Sequence, residues 1–110
     1  MLHLLLLCCW WLFDQLEQLL IAEPHDPFLR YGLAMCFASD GDTDTAQTHF
    51  RQLLTDHPDY VAGYFQLAQL LARLGEIEEA QPLLRTGISV AVRIGESHAA
   101  REMNEFLAML

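Results

Sequence analysis

The chain matches itself when it is shifted by 34 residues, and this period restricts the possible fold more than any other feature. The identical pairs are Leu33 and Leu67, Ala34 and Ala68, Ala38 and Ala72, Gly41 and Gly75, Ala46 and Ala80, Gln47 and Gln81, and Arg51 and Arg85. One step upstream, residues 16–26 match residues 50–60, including Pro24 on Pro58. A fixed period of this length is typical of stacked supersecondary units that bury one continuous core.

Apolar residues recur at helical spacing within each copy and predict an all-α chain. The helices are predicted at 9–22, 27–39, 43–56, 61–74, 77–93 and 97–109. Gly41 and Gly75 follow the first helix of each pair, where a left-handed cap is favoured. Pro82 falls inside the fifth helix and predicts a late start or a slight kink there. Gly95 should end that helix, and Ser97 is the predicted cap of the last one.

Small residues occupy four matching helix positions, at Ala34, Ala46, Ala68 and Ala80. Two helices approach closely only where neither carries a bulky side chain. Acidic residues then begin the second helix of each pair, where they complement the helix dipole and can cap it. The pattern therefore predicts antiparallel helix pairs that cross at the alanines.

The 34-residue unit resembles the tetratricopeptide repeat. Residues 27–60 supply Leu33, Ala34, Phe37, Ala46, Phe50 and Pro58 at the positions that define it, and residues 61–94 supply Tyr64, Leu67, Ala68, Leu71, Ala80, Leu84 and Gly87. The departures are Arg30 for a large residue, Leu53 for a small one and Val92 for proline. The resemblance covers about residues 16–94 and implies an α-α superhelix, a solenoid of helix pairs.

This architecture divides the chain into an apolar N-terminal extension and a single repeat domain. The predicted divisions are the extension at 1–13, the domain at 14–110, and within it a half repeat at 14–26, full repeats at 27–60 and 61–94, and a capping helix at 96–110. The last helix carries one apolar stripe, which suits a lid over the final helix pair. The stripe is made of Ala99, Met103, Phe106, Leu107 and Leu110. Residues 9–22 are predicted to form the matching N-terminal lid, the second half of a repeat whose first half is missing.

The extension reads MLHLLLLCCWWLF and is apolar apart from His3. It is too short for a membrane-spanning helix, which needs roughly 20 apolar residues. It lacks the basic start and the small-residue cleavage site of a secretory signal. Three interpretations stay open: a weak membrane-targeting segment, a helix that packs on the repeats or a partner, or an upstream extension due to start-site choice.

The formal charge is −9, with 15 acidic residues against 6 arginines and no lysine. A field of this sign repels phosphate backbones, so nucleic acid is not an expected partner. Three cysteines, two of them adjacent, do not make a disulfide framework, and nothing demands an oxidising compartment. Cys36 is predicted to be a small buried hydrophobe. We expect a cytoplasmic protein, or a membrane-associated or exported one if residues 1–13 are a targeting segment.

No catalytic or metal-binding pattern is present in the sequence. The five histidines lack the spacing of a helical zinc site, and no glycine-rich phosphate loop or nucleophile elbow occurs. His49 and His98 lie on predicted helices and are expected to face solvent. The sequence therefore predicts no enzyme activity, no cofactor and no metal.

In tetratricopeptide repeats the first helix of each pair lines a concave groove. Carried onto this chain, the groove positions are Phe28, Tyr31, Met35, Ala38 and Ser39 in the first full repeat, and Ala62, Phe65, Gln69, Ala72 and Arg73 in the second. We single out Phe28, Tyr31, Met35, Phe65, Gln69 and Arg73 as the candidate partner-binding residues. The lysine and asparagine clamp that some members use for acidic tails is absent from these positions. The resemblance implies an apolar groove that takes a peptide or a helix.

The leading hypothesis is therefore a non-catalytic scaffold or adaptor that binds a protein partner. The alternatives are a secretion-type chaperone that shields apolar segments and a membrane-tethered assembly factor held by residues 1–13. The alternatives to an open groove are intramolecular packing and self-association, and the oligomeric state, monomer or weak dimer, stays open.

Overall fold

A computed structural model describes residues 2–110, with the side chains of residues 11, 12 and 14–110. The described chain forms six α-helices, which confirms the predicted all-α repeat fold. They are α1 (Leu2–Ala22), α2 (Pro27–Ser39), α3 (Thr43–Asp56), α4 (Val61–Arg73), α5 (Ile77–Ile94) and α6 (Ser97–Met109). The largest difference from the predicted bounds is α1, which begins at Leu2 rather than at residue 9.

Local sequence signals set most of the helix ends. Gly41 and Gly75 have φ values of 89° and 82°, a left-handed conformation that costs glycine little and other residues more. The predicted turn after α2 and after α4 is therefore confirmed. Gly95 adopts the same conformation and ends α5 as expected.

Aspartates begin two of the helices. The Asp26 carboxylate accepts hydrogen bonds from the backbone N–H groups of Phe28 and Leu29, at 2.9 and 3.2 Å. The Asp42 carboxylate accepts one from the N–H of Thr45, as the acidic positions predict. The prediction that Ser97 caps α6 is wrong, because Ser97 is already helical and Glu96 occupies the cap position without a side-chain cap bond.

Pro82 does not delay the start of α5. The helix begins at Ile77 and runs through the proline to Ile94, so the predicted late start is wrong. Proline removes one N–H donor from a helix and leaves the carbonyl four residues earlier without that bond. Thr86 donates its hydroxyl to the carbonyl of Pro82 at 3.1 Å, one turn further along.

The chain separates into two compact units, the first ending at Gln52 and the second running from Leu53 to Leu110. The N-terminal unit contains α1, α2 and most of α3. Among its described side chains, the buried apolar ones are Leu20, Leu33, Ala34, Ala46 and Phe50. The helices α1 and α2 pack together near Gly32, where an added Cβ would lie 3.5 Å from Leu16 Cδ1.

The C-terminal unit is built around α4, α5 and α6. Its core includes Leu67, Ala68, Leu71, Ala80, Leu84 and Met103, all with 2% or less of their surface exposed. A Cβ added at Gly87 would lie 2.7 Å from Tyr64 Cβ and 2.9 Å from Met103 Sδ. Gly87 therefore lies where α4 and α6 both approach α5 closely.

The last helix carries its apolar residues on the side predicted for a lid. Met103 is buried, and Ala99, Phe106, Leu107 and Leu110 are half-buried. The polar residues Arg101, Glu102, Asn104 and Glu105 are exposed. The apolar stripe of α6 is therefore turned to the interior and its polar side to water, while its role as a cap stays a prediction.

The N-terminal extension enters α1 without a break in the helix at residue 13. The side chains of residues 1–10 and 13 lie outside the described residues, so the three interpretations of this segment stay predictions. Within the described part of the chain, no helix combines the length and apolar character needed to cross a bilayer.

Candidate partner-binding faces

The α2 face consists of Phe28, Tyr31 and Met35, which lie within one side of the helix because they are three and four residues apart. Phe28 is 73% exposed, while Tyr31 and Met35 are half-buried. The Tyr31 ring packs edge-on against Phe50 of α3, with centroids 6.2 Å apart. The face therefore presents one exposed aromatic side chain beside two that are partly held by the core.

The cap of α2 fixes the position of Phe28. Pro27 is the first helical residue, a place where its missing N–H is not needed. The Asp26 carboxylate binds the N–H of Phe28 itself. The cap already orders the backbone that carries the Phe28 ring. This ring can therefore offer its apolar surface to a partner without further ordering of the backbone.

Arg30 explains one departure from the repeat pattern. Its guanidinium donates to the carbonyl oxygen of Pro24 at 3.2 Å and to Nδ1 of His49 at 3.1 Å. A single long side chain thus connects the α1–α2 turn, α2 and α3. Arginine thus replaces the large residue expected at this position, and its side chain forms hydrogen bonds to two neighbouring segments.

His49 is half-buried, so the prediction that it faces solvent is wrong. Its ring stacks on Phe37, with centroids 5.3 Å apart and planes 9° from parallel. Because arginine cannot accept, Nδ1 must be the acceptor, which fits a neutral imidazole with its proton on Nε2. Burial, and then the nearby Arg30 charge, lower the pKa of His49 from its usual 6.5.

The second repeat makes the same contact to its turn with a different side chain. Tyr64 occupies the position of Arg30 one repeat later, and its hydroxyl donates to the carbonyl of Pro58 at 2.8 Å. Burial and then the carboxylate of Asp59 raise the pKa of Tyr64, while Arg93 opposes them. Arg93 also forms an exposed ion pair with Asp59.

The α4 face consists of Phe65, Gln69 and Arg73, which are spaced four residues apart along one side of the helix. Phe65 and Gln69 are half-buried, and Arg73 is exposed at the last turn. The Phe65 ring lies 5.8 Å from that of Phe106 in α6. Part of this face is therefore already occupied by α6.

Sequence reasoning missed this contact between Phe65 and Phe106. Both residues were identified, one as a binding residue and one as part of the lid stripe, but their encounter depends on how α4 and α6 cross. Cys36 was expected to be buried and is instead half-buried. Its neighbour in sequence, Phe37, packs on His49, which no local pattern indicated.

His98 is exposed as predicted and belongs to a small surface cluster on α6. Its Nδ1 accepts from Arg101 at 3.0 Å, and its Nε2 lies 2.7 Å from the Glu102 carboxylate. All three residues face water, and such contacts contribute little to stability. The cluster explains the polar outer side of α6.

Comparisons with known proteins agree with this architecture. The model of the tetratricopeptide repeat matches residues 37–93. A TPR repeat-containing protein of Pseudomonas aeruginosa is 27% identical over 99 residues, which cover 90% of this chain and 94% of that protein. The chain belongs to the tetratricopeptide repeat family.

Solved structures give the same fold. A tetratricopeptide repeat domain protein from Salinibacter ruber is 31% identical and superposes with a TM-score of 0.75, covering 78% of this chain and 87% of that one. The type III secretion translocator chaperone SycD of Yersinia enterocolitica has a TM-score of 0.83, with coverage of 89% and 74%. At 18% identity, the second likeness concerns the fold alone.

The family defines the general class of function. Tetratricopeptide repeats are protein-interaction modules, and packing positions rather than reactive groups carry their sequence pattern. A protein partner is therefore the class of ligand that the fold implies.

Proposed function

We propose that the protein is a non-catalytic adaptor that binds an apolar segment of a partner protein, with the α2 face and the α4 face as two separate candidate contact surfaces. The observation that carries this proposal is Phe28, a large aromatic side chain left 73% exposed on a helix whose end is fixed by Asp26. Aromatic, methionine and arginine side chains are those enriched in protein interfaces. Phe28, Tyr31, Met35 and Arg73 supply all three types.

The two faces contribute unequally. Phe28 offers its ring to a partner directly, whereas Phe65 is already packed against Phe106. Truncating Tyr31 or Phe65 would also disturb intramolecular packing, so neither gives a clean test. We therefore assign the apolar anchor to Phe28 and a charged contact to Arg73, with Tyr31, Met35, Phe65 and Gln69 as supporting contacts.

The test requires a partner recovered with the full chain by crosslinking in cells and then purified. Phe28→Ala should weaken its binding at least tenfold in a titration, because an exposed aromatic anchor loses its contact area. Arg73→Ala should give a smaller loss, since a rim charge contributes mainly to the association rate. Far-UV circular dichroism should show unchanged helicity in both variants.

Met109→Ala provides the matched control, because Met109 is 75% exposed and lies on α6, outside both faces. This variant should bind the partner as the wild type does. Equal binding by Phe28→Ala and wild type would contradict the proposal. A loss of binding in all three variants would contradict it as well, since it would show no preference for the faces.

A secretion-type chaperone is the second candidate. The acidic charge and the exposed apolar side chains Trp11, Ile21 and Phe28 suit a protein that shields an apolar segment. If this is the function, the full chain should keep an aggregation-prone exported protein in solution at equimolar ratio, and Phe28→Ala should not. An adaptor for folded partners would leave aggregation unchanged.

We also propose that the protein carries out no catalysis and acts in the cytoplasm. Cell fractionation of the full-length chain tests the location, with a version starting at Leu12 as the comparison. Recovery of the full chain with membranes, and of the shorter one without them, would contradict a cytoplasmic location.

A further inference from the structure

The helix α1 aligns with the second helix of each full repeat. Two successive shifts of 34 residues relate three of its leucines to positions in α3 and then in α5. The sets are Leu12, Ala46 and Ala80; Leu16, Phe50 and Leu84; and Leu19, Leu53 and Gly87. If α1 were packed like its counterparts, Leu12, Leu16 and Leu19 would all be buried.

They are not buried to the same degree. In the two full repeats all six counterparts are buried, most of them completely. In α1, Leu12 is 46% exposed, Leu19 is 51% exposed and Leu16 is half-buried. Leucines at positions that are otherwise core positions are therefore open to water.

Contacts inside the two units explain what covers these positions elsewhere. Phe50 is met by Tyr31, from the first helix of its own repeat. A Cβ at Gly87 would touch Tyr64, from the first helix of its own repeat, and Met103, from the helix that follows. The helix α5 is thus packed between its own first helix, α4, and the helix that follows, α6.

The helix α1 has the second kind of neighbour in the described N-terminal unit. Gly32 of α2, the helix that follows, approaches Leu16. The exposure of Leu12 and Leu19 marks the side where a first helix would lie. Ile21 lies outside this face. Its counterparts in the full repeats, Thr55 and Ser89, are exposed as well, so exposure is normal at this position.

We infer that Leu12, Leu16 and Leu19 form a docking face on α1 for an amphipathic helix of a partner protein, of the kind that packs against the matching positions in the two full repeats. In the two full repeats, the matching positions of α3 and α5 are covered by α2 and α4, respectively. The helix that binds to the α1 face should therefore resemble α2 and α4 in its side chains. The helix α4 gives the pattern with Tyr64 and Ala68, an aromatic residue followed four positions later by alanine, and α2 has Arg30 and Ala34 at the matching positions. This inference does not depend on the α2 and α4 faces.

Charge narrows the occupant further. The first helices α2 and α4 contain no acidic residue and one arginine each, Arg30 and Arg73. The sequence of α1 holds Asp14 and Glu17 and no basic residue apart from His3. A neutral or basic helix is therefore favoured over a second copy of α1, which would bring the same carboxylates.

The experiment uses the full chain and a fluorescein-labelled peptide with the sequence of residues 61–73. A hydrocarbon staple that replaces residues 62 and 66 keeps the peptide helical, and it lies opposite the side that carries Tyr64 and Ala68. Fluorescence anisotropy should show saturable binding. The double variant Leu12→Asn/Leu19→Asn should weaken this binding at least tenfold.

Two variants serve as controls. Ile21→Asn, on the same helix but outside the face, should bind the peptide like the wild type. Phe28→Ala should also bind it normally, which separates this face from the α2 face. If the double variant loses helicity by circular dichroism, Leu12→Gln and Leu19→Gln singly take its place, each with a smaller loss of affinity.

Three results would overturn the inference. The first is the absence of saturable binding, or equal binding by the double variant. The second is a dimer in sedimentation velocity that the double variant abolishes, since a second copy would then occupy the face. The third is binding of phosphatidylcholine vesicles that depends on Leu12 and Leu19 without peptide binding, which would assign the face to a membrane surface.

Discussion

The two units use the same repeat pattern but pack their first helices to different depths. In the C-terminal unit, α4 has seven buried residues, whereas α2 in the N-terminal unit has two. The glycines show the same contrast, because a Cβ would be in ordinary contact at Gly32 but would collide with Tyr64 at Gly87. Matching positions thus fix which helices pair, and the neighbouring side chains fix how closely they approach.

The turn contacts show the same difference in chemistry. Arg30 and Tyr64 occupy equivalent positions and donate to the carbonyls of Pro24 and Pro58. Tyrosine adds a ring to the core, and α4 is buried along its length. Arginine adds a charge that also reaches His49, and it leaves the N-terminal unit with a polar brace between helices.

The strongest test of the contrast is Gly87→Ala. We expect a loss of about 1–3 kcal/mol in the free energy of unfolding, because the new methyl would lie 2.7 Å from Tyr64 Cβ, which cannot move without the backbone. Urea denaturation followed by circular dichroism measures this loss. Unchanged or higher stability would mean that α4, α5 and α6 are not tightly packed at this point.

A second test concerns the starts of the two first helices. The Asp26 side chain caps α2, whereas no side-chain cap bond is formed at the start of α4. Asp26→Ala should cost about 1 kcal/mol in the free energy of unfolding, since the N–H groups of Phe28 and Leu29 lose their acceptor. Asp26→Asn keeps an acceptor oxygen and should cost much less. Equal losses in the two variants, measured by thermal unfolding, would rule out capping as the cause.

The third test predicts a gain in stability, the opposite of the loss expected for Gly87→Ala. Gly32→Ala should raise the free energy of unfolding by about 0.5–1 kcal/mol, because alanine has less backbone entropy to lose in a helix. Its methyl would lie 3.5 Å from Leu16 Cδ1, an ordinary contact. Destabilisation in the same urea assay would show that α1 and α2 pack as tightly as the helices around Gly87.

The smallest expected effect is a pH dependence from the N-terminal unit. The pKa of His49 is lower in the folded protein than its ordinary 6.5, so below pH 6.5 the unfolded chain takes up a proton that the folded chain does not. Stability from this residue is therefore present above pH 6.5 and is lost as the pH falls towards the lowered pKa. Unfolding by urea at pH 7.5, 6.5 and 5.5 measures the slope.

His49→Gln should reduce that slope, and His98→Gln, at an exposed position of α6, provides the control and should leave it unchanged. A slope that survives in His49→Gln would assign the acid sensitivity to other groups. The comparison thus locates the pH response in one unit.

Much of the fold was predictable because its signals are local. Gly41, Gly75 and Gly95 end helices through their own backbone conformation, and Asp42 caps the helix that follows it. The prediction of the α6 cap was wrong by one residue. Ser97 was expected at the cap position, but Glu96 occupies it and Ser97 is already helical. The late start expected at Pro82 was also wrong, because the helix begins at Ile77 and continues through the proline despite the missing donor, while the alternative of a slight kink stays a prediction.

The candidate site was predictable only in part. The repeat alignment placed Phe28 and Arg73 on helix sides that the structure leaves exposed. It did not indicate that Phe65 meets Phe106, since the way in which α4 and α6 cross decides that contact. Whether these residues bind a partner is still a proposal.

The sequence by itself determined that this chain is a stack of helix pairs, because a 34-residue period with small residues at the crossings and glycines at the turns permits little else. Only the tertiary structure decided which individual side chains are exposed and which are covered. It stacked the half-buried His49 on Phe37, packed Phe65 against Phe106 of α6, and left Leu12 and Leu19 exposed. The reason is that exposure depends on which helices lie beside a position, and a helical pattern specifies the position but not its neighbours.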